Sequence, residues 1–107
     1  MPEAVGVIET LGMPTALEAA DAMCKSGHVQ FVRFDNLQAG LISVIVRGPV
    51  AEVNAAIQGA LASLSRVHGG ALAGHHIIPC PDGNVEAVLP LLRAPGGANA
   101  GAVDWLD

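Results

Sequence analysis

The chain has 107 residues, of which 51% are hydrophobic and 3% aromatic, and it carries a formal net charge of −5 at pH 7. This acidic balance argues against nucleic acid as a partner, because phosphate contacts need a basic surface, and equally against docking on an anionic membrane. The N-terminus does not resemble a signal peptide, and no apolar run approaches the ~18 residues that span a bilayer, so we expect a cytoplasmic protein.

The first part of the chain predicts a strand followed by a helix. AVGVI at residues 4–8 has the valine and isoleucine content of a short buried strand. Pro14 suits the first turn of a helix and Gly27 its end, so PTALEAADAMCKSG predicts a helix over residues 14–27. Its apolar face is expected to hold Leu17, Ala20 and Cys24, with Ala16 and Met23 beside them.

The remaining elements follow in a similar pattern. HVQFVRF (28–34) and LISVIVR (41–47) predict two strands joined by a loop of hairpin length. A helix over residues 49–67 follows, and ALAGHHII (71–78) predicts a fourth strand. The apolar stripe of the second helix is expected to comprise Val50, Val53, Ile57, Leu61 and Leu64.

This order of elements defines the expected fold class and domain organisation. Strand, helix, strand, strand, helix, strand is typical of the ferredoxin-like split βαβ arrangement, an α/β (α+β) fold with a four-stranded antiparallel sheet and helices on one side. Residues 84–89 favour one further helical turn. Beyond Pro90 the sequence is rich in Gly and Ala, so we expect one domain over residues 1–92 and a flexible tail over 93–107. Small apolar side chains bury little area each, which leaves an oligomer and an Ala-rich monomer both open.

No constellation of side chains predicts catalysis, a metal site or a cofactor. His75 and His76 are adjacent in the fourth strand, so their side chains point to opposite faces and cannot chelate one ion. Cys24 and Cys80 lack the spacing of metal ligands and are expected to be reduced structural thiols. No serine lies in a nucleophile elbow, and no acid–base pair can be assembled. We therefore expect a protein that is not an enzyme.

Three stretches, in this order, resemble the single-domain bacterial microcompartment (BMC) shell proteins: VGVIETLGMPTALEAADAMCKSG, VIVRGPVAEVNAAI and GHHIIPCPDGNVEAVLP. The resemblance covers residues 4–91. IETLGMP and NVEAVLP are similar to the carboxysome branch of cyanobacterial type, and RGPVAEVN is similar to its minor paralogues. The resemblance implies the BMC fold and flat six-fold hexamers that tile the facets of a non-catalytic shell around Rubisco and carbonic anhydrase.

The resemblance also gives a role to the stretch FDNLQAGL at residues 34–41. In the family, the loop between the second and third strands meets its copies at the six-fold axis and lines a narrow pore. Bicarbonate and phosphorylated sugars are thought to pass, so small anions are the expected permeants. Without the resemblance, the stretch would be an ordinary solvated hairpin loop. The expected pore-lining residues are Asn36, Leu37, Gln38, Ala39 and Gly40.

Several departures from the family pattern predict a minor shell component. Many members carry Lys-Ile-Gly-Ser-Gly in the loop, whereas here Asn36 replaces the lysine, which should weaken the attraction for anions. The contact between hexamer edges uses a lysine, matched by Lys25, and an arginine, whose position is taken by Cys80 and whose rigid fork cysteine cannot imitate. Asp82 and Gly83 replace a His-Glu pair beside it.

Partners and alternatives follow from these departures. We expect this protein to co-assemble with a major paralogue and other carboxysome shell components, either in mixed hexamers or as separate homohexamers scattered among them. Two other functions remain open. One is a tile of a catabolic microcompartment, which neighbouring genes would reveal. The other is a metabolite-binding regulator of ferredoxin-like fold, which would show saturable binding.

Overall fold

The computed structural model describes residues 3–68 and 71–79, and within these ranges strands and helices follow the expected order. A short 3-10 turn, Gln38–Gly40, lies between the second and third strands. The elements are β1 (Ala4–Leu11), α1 (Met13–Ser26), β2 (Gln30–Asn36), β3 (Leu41–Gly48), α2 (Val50–His68) and β4 (Leu72–Ile78). The predicted helical turn at 84–89, the tail at 93–107 and Cys80 lie outside the described residues.

The four strands form one antiparallel sheet in the order β2-β3-β1-β4. β1 pairs with both β3 and β4, and β3 also pairs with β2, so β3 separates the two strands that α1 connects. Both helices pack on the same face of this sheet, where side chains from all of these elements form the main core. The predicted ferredoxin-like fold class is confirmed.

The strands near the hairpin extend further than the sequence predicts. β1 continues past residue 8 to Leu11, because its ladder with β3 pairs Thr10 with Ile42 and Leu11 with Leu41. β2 begins at Gln30 and ends at Asn36, which pairs with Ile42 instead of lying in the loop. A long central β3 offers hydrogen-bond partners to both neighbours along its length, and this extends the strands beyond their apolar stretches.

The second helix buries most of the stripe that its spacing predicts. Val53, Ile57 and Leu64 are buried and Leu61 packs partly against the core, whereas Val50 at the first position of α2 remains 44% exposed. At roughly 25 cal/mol per Å² of apolar surface, these branched side chains are a main source of the stability of this layer.

The predicted face of α1 is wrong for Leu17 and Cys24, whereas Ala16 and Met23 are buried and Ala20 packs partly against the core. Leu17 is 54% exposed and Cys24 is also exposed, although both were expected in the core. The buried positions are Thr15, Ala16, Ala19 and Met23. Small side chains on this stripe let α1 approach the sheet and α2 closely, whereas a leucine there would push the layers apart. The helix is therefore rotated about one residue from the orientation that hydrophobicity favours.

Candidate functional site

The loop between β2 and β3 is a short turn that hydrogen bonds hold at both ends. The Leu37 N–H donates to the Leu41 carbonyl oxygen at 2.7 Å, which closes the hairpin. The Gly12 N–H donates to the Gly40 carbonyl oxygen at 3.0 Å, which ties the turn to the segment between β1 and α1. The loop is therefore anchored to two different parts of the fold.

The tip of the turn has a left-handed backbone. Ala39 has φ 58° and ψ 34°, and Gly40 has φ 79°. An alanine in this region costs about 1–2 kcal/mol relative to the right-handed form. The two anchoring hydrogen bonds oppose that cost, so the tip has a defined conformation even though it is exposed.

The five residues predicted to line a pore lie together on this projection, and each of them is exposed. Asn36 ends β2, Leu37 has extended backbone and is 45% exposed, and the others form the turn. A pore requires several copies around an axis, so a pore-lining role for these residues stays a prediction.

Three leucines lie side by side across the sheet at its loop end. Leu11 pairs with Leu41 across β1 and β3, and the hydrogen bond from Leu37 to Leu41 continues the β2–β3 register by one step. Leu11 is 47% exposed and Leu41 half-buried. Directly opposed residues on paired strands point to the same face of the sheet. The adjacent positions Thr10 and Ile42 point to the other face and are buried. We call Leu11, Leu41 and Leu37 the leucine row; it lies on the face opposite the helices.

A polar row lies on the same face, two residues further from the loop along each strand. It consists of Glu9, Ser43 and Asp35, which the strand registers place side by side. Arg33 Nε is 3.0 Å from Asp35 Oδ1, and His76 Nε2 is 3.5 Å from Glu9 Oε1, a contact that becomes an ion pair when the imidazole is protonated. Sequence reasoning missed both rows, because they depend on the register of three strands.

Lys25, the predicted edge-contact residue, lies in the last turn of α1. Its ammonium is 2.8 Å from Asp21 Oδ2 one turn earlier, and its side chain is 75% exposed. The hydrogen bond to Asp21, and then the Asp21 charge, raise the pKa of Lys25 above its usual value. Lys25 is therefore accessible to a neighbour. Its predicted partner position, Cys80, lies outside the described residues, so the structure does not bring the two together.

Cys24 should react slowly with alkylating reagents. Partial burial of the thiol, and then the charge of Asp21, raise the pKa of Cys24 above its ordinary value, so less thiolate is present near neutral pH. We expect Asp21→Asn to speed modification of Cys24 by iodoacetamide about two- to threefold at pH 8, since it removes one of the two causes of the raised thiol pKa. Time-resolved peptide mass spectrometry measures the rate at this cysteine.

The distant Glu3→Gln variant removes the same charge from another exposed site and is the control for that experiment. An Asp21→Asn rate equal to that of the control would contradict the electrostatic part of the argument.

The adjacent histidines lie on opposite faces of β4, as the sequence predicts. His75 pairs with the position of Ile8, which faces the helices, and His76 pairs with Val7. Within residues 3–68 and 71–79, no three His, Cys, Asp or Glu side chains come together in a way that could hold a metal ion. Over the same ranges, no helix has both the length and the apolar character needed to cross a membrane.

The fold and the sequence together identify the family. The family model described as BMC domain matches residues 4–81, and the chain belongs to this family. Carboxysome shell protein CcmK2 of Synechococcus elongatus is 50% identical over 91 residues, which cover 85% of this chain and 89% of the relative. Carboxysome shell protein CcmK3 of Synechocystis sp. is 50% identical over 92 residues, with the same two coverages.

A solved structure supports the fold alone. A microcompartments protein from Desulfitobacterium hafniense superimposes with a TM-score of 0.66 at 24% identity. The match covers 79% of this chain and 45% of that chain, so this chain spans about half the length of its structural relative.

Proposed function

We propose that this protein is a structural, non-catalytic component of a carboxysome shell, where it assembles into cyclic hexamers with a central pore for small metabolites. The observation that carries the proposal is 50% identity to two carboxysome shell proteins over 85% of the chain, together with the BMC domain match. The shell is accordingly its cellular location. We also propose a single shell domain over residues 1–92, most of which the family match to residues 4–81 covers, and a separate tail over 93–107.

The geometry of the β2–β3 loop supports a role at the pore. Its exposed residues project from the sheet on a turn anchored at both ends, so identical copies around an axis would present the same groups at the same depth. In a ring, backbone N–H groups and amide dipoles act together on a passing solute without a formal charge. Small anions remain expected permeants, at lower rates than through a ring of lysines.

Two sequence features support a minor component that works with paralogous shell proteins. Asn36 stands where many members have a lysine, and Cys80 stands where the edge arginine is expected. The first change alters what the pore attracts, and the second weakens the contact by which hexamers of this chain alone would tile. Co-assembly with a major paralogue would supply complete edges, and the mixture would adjust the permeability of the shell.

Native mass spectrometry of the protein alone, and expressed together with a CcmK2 paralogue, tests the assembly. Homohexamers of this chain would identify an independent tile. Hexamers present only as mixtures would identify a subunit that modifies the rings of its paralogue. A monomer or dimer under both conditions would overturn the shell function.

Introducing a lysine at position 36 should raise anion permeation. Asn36 is exposed at the end of β2, so Asn36→Lys adds one cation per subunit to the proposed pore ring. We expect glycerol phosphate entry into reconstituted shells to increase several-fold, because opposite charges concentrate a permeant in a narrow opening. An encapsulated phosphatase reports the entry rate.

Asn54→Lys is the matched control, since Asn54 is exposed on α2. Equal rates for the two variants would mean that the side chain at position 36 does not face the pore.

A further inference from the structure

We propose that the exposed leucine row, at the loop end of the sheet face opposite the helices, selects small uncharged solutes over small anions. This inference rests on the proposed function, because only a ring of subunits places the leucine row around a pore. It goes beyond the loss of the family's lysine, since it assigns a role to residues on β1 and β3 that lie outside the loop.

The leucine row supplies an apolar rim. Its members are at least partly exposed although they are large apolar side chains, and the register of three strands places them beside one another. Around a ring, each subunit would add the same three side chains to the mouth of the pore. An apolar opening cannot replace the water that an ion must shed, so it slows anions more than uncharged solutes of similar size.

The polar row lies beside the leucine row on the same face of the sheet, and it also disfavours the entry of anions. Glu9 and Asp35 place two carboxylates behind the leucine row, and Arg33 Nε is paired with Asp35 at 3.0 Å. His76 contacts Glu9, with its Nε2 3.5 Å from Glu9 Oε1. Arg33 neutralises Asp35, so Glu9 is the carboxylate that repels anions at this mouth, and uncharged solutes are unaffected.

Shells co-assembled from this protein and a CcmK2 paralogue allow the selectivity to be measured. Encapsulated urease reports entry of urea, an uncharged solute, and encapsulated phosphatase reports entry of glycerol phosphate, an anion. The quantity compared is the ratio of phosphate ester entry to urea entry. We expect Leu37→Lys in the loop and Leu11→Lys on β1 each to raise this ratio about tenfold over the unmodified protein, because each replaces an exposed apolar group with a cation at the rim.

A further variant and a matched control separate apolarity from charge and from general surface effects. Leu37→Gln removes the apolar group without adding charge and is expected to raise the ratio about threefold. Leu17→Lys is the matched control, because Leu17 lies on α1 and is 54% exposed, against 45% for Leu37. This variant adds the same cation away from the leucine row and is expected to leave the ratio unchanged.

The outcomes distinguish this inference from the proposed function. Native mass spectrometry establishes for each variant whether rings form. Rings in which Leu11→Lys leaves the ratio unchanged would overturn the role of the leucine row, whether or not the Leu37 variants change it, and would leave the shell function standing. Failure of the unmodified protein to form rings, alone or with the paralogue, would overturn the shell function and the inference with it.

Discussion

Replacing Gly27 with alanine is expected to lower the free energy of unfolding by about 2–3 kcal/mol, in the range measured for overpacked cores. A Cβ at Gly27 would overlap the carbonyl oxygen of Glu52 and lie 3.0 Å from the backbone nitrogen of Ala56. Both atoms belong to the backbone of α2 and cannot rotate away, so the helices would have to separate. Urea unfolding followed by circular dichroism measures the loss.

Gly74→Ala is the matched control for this substitution. The nearest atom to an added Cβ at Gly74 is Glu9 Oε1 at 3.1 Å, the end of a flexible side chain that can move. Its effect should stay within about 0.5 kcal/mol, as expected for substitutions without a rigid obstacle. Equal losses for the two variants would show that close approach of α1 to α2 does not determine stability at Gly27.

The same helix contact bears on the proposed assembly. Gly59 on α2 faces Ser26, the last residue of α1, and the His28 N–H donates to Glu52 Oε1 at 2.8 Å. These contacts fix the end of α1 against α2 and so fix the position of Lys25, the proposed edge residue. A substitution that separates the helices should therefore weaken tiling as well as stability.

The order of elements could be predicted from sequence because the apolar periods of β3 and α2 are strong. The face of α1 could not, because hydrophobicity favours burying Leu17 whereas the distance between the layers requires Ala16 and Ala19. The hydrophobicity of each residue can be read from a single sequence. The distance between packed layers is known only once the whole fold is known.

The candidate site, too, could be predicted from the sequence only in part. The hairpin loop could be located to within one residue, since Asn36 belongs to β2, from its position between two apolar strands and from the family resemblance. Its neighbours on the face opposite the helices could not, because the pairing of Leu11 with Leu41 depends on a register between strands that are 30 residues apart in sequence. The pore role proposed for the loop requires several copies around an axis, so it cannot be derived from the register of one chain.

Replacing Cys80 with arginine is expected to make this protein form extended sheets on its own. Lys25 is already exposed, and its bond to Asp21 is a surface pair, which contributes little and can be exchanged for a contact with a neighbour. Arginine would restore the rigid donor fork that the family uses at this edge. We expect negative-stain electron microscopy to show at least about tenfold more sheet area at equal protein concentration, since an added edge contact of about 1.4 kcal/mol suffices for that change.

Two further variants decide what the arginine contributes. Cys80→Lys adds the same charge without the fork, so it should recover little sheet formation if geometry matters and most of it if charge alone does. Lys25→Ala combined with Cys80→Arg should abolish the gain, because both sides of the edge contact are needed. Sheets that form equally well in that double variant would place the tiling contact elsewhere. Unchanged behaviour of Cys80→Arg itself would mean that the missing arginine does not limit tiling, and the argument for a minor component would then rest on the pore alone.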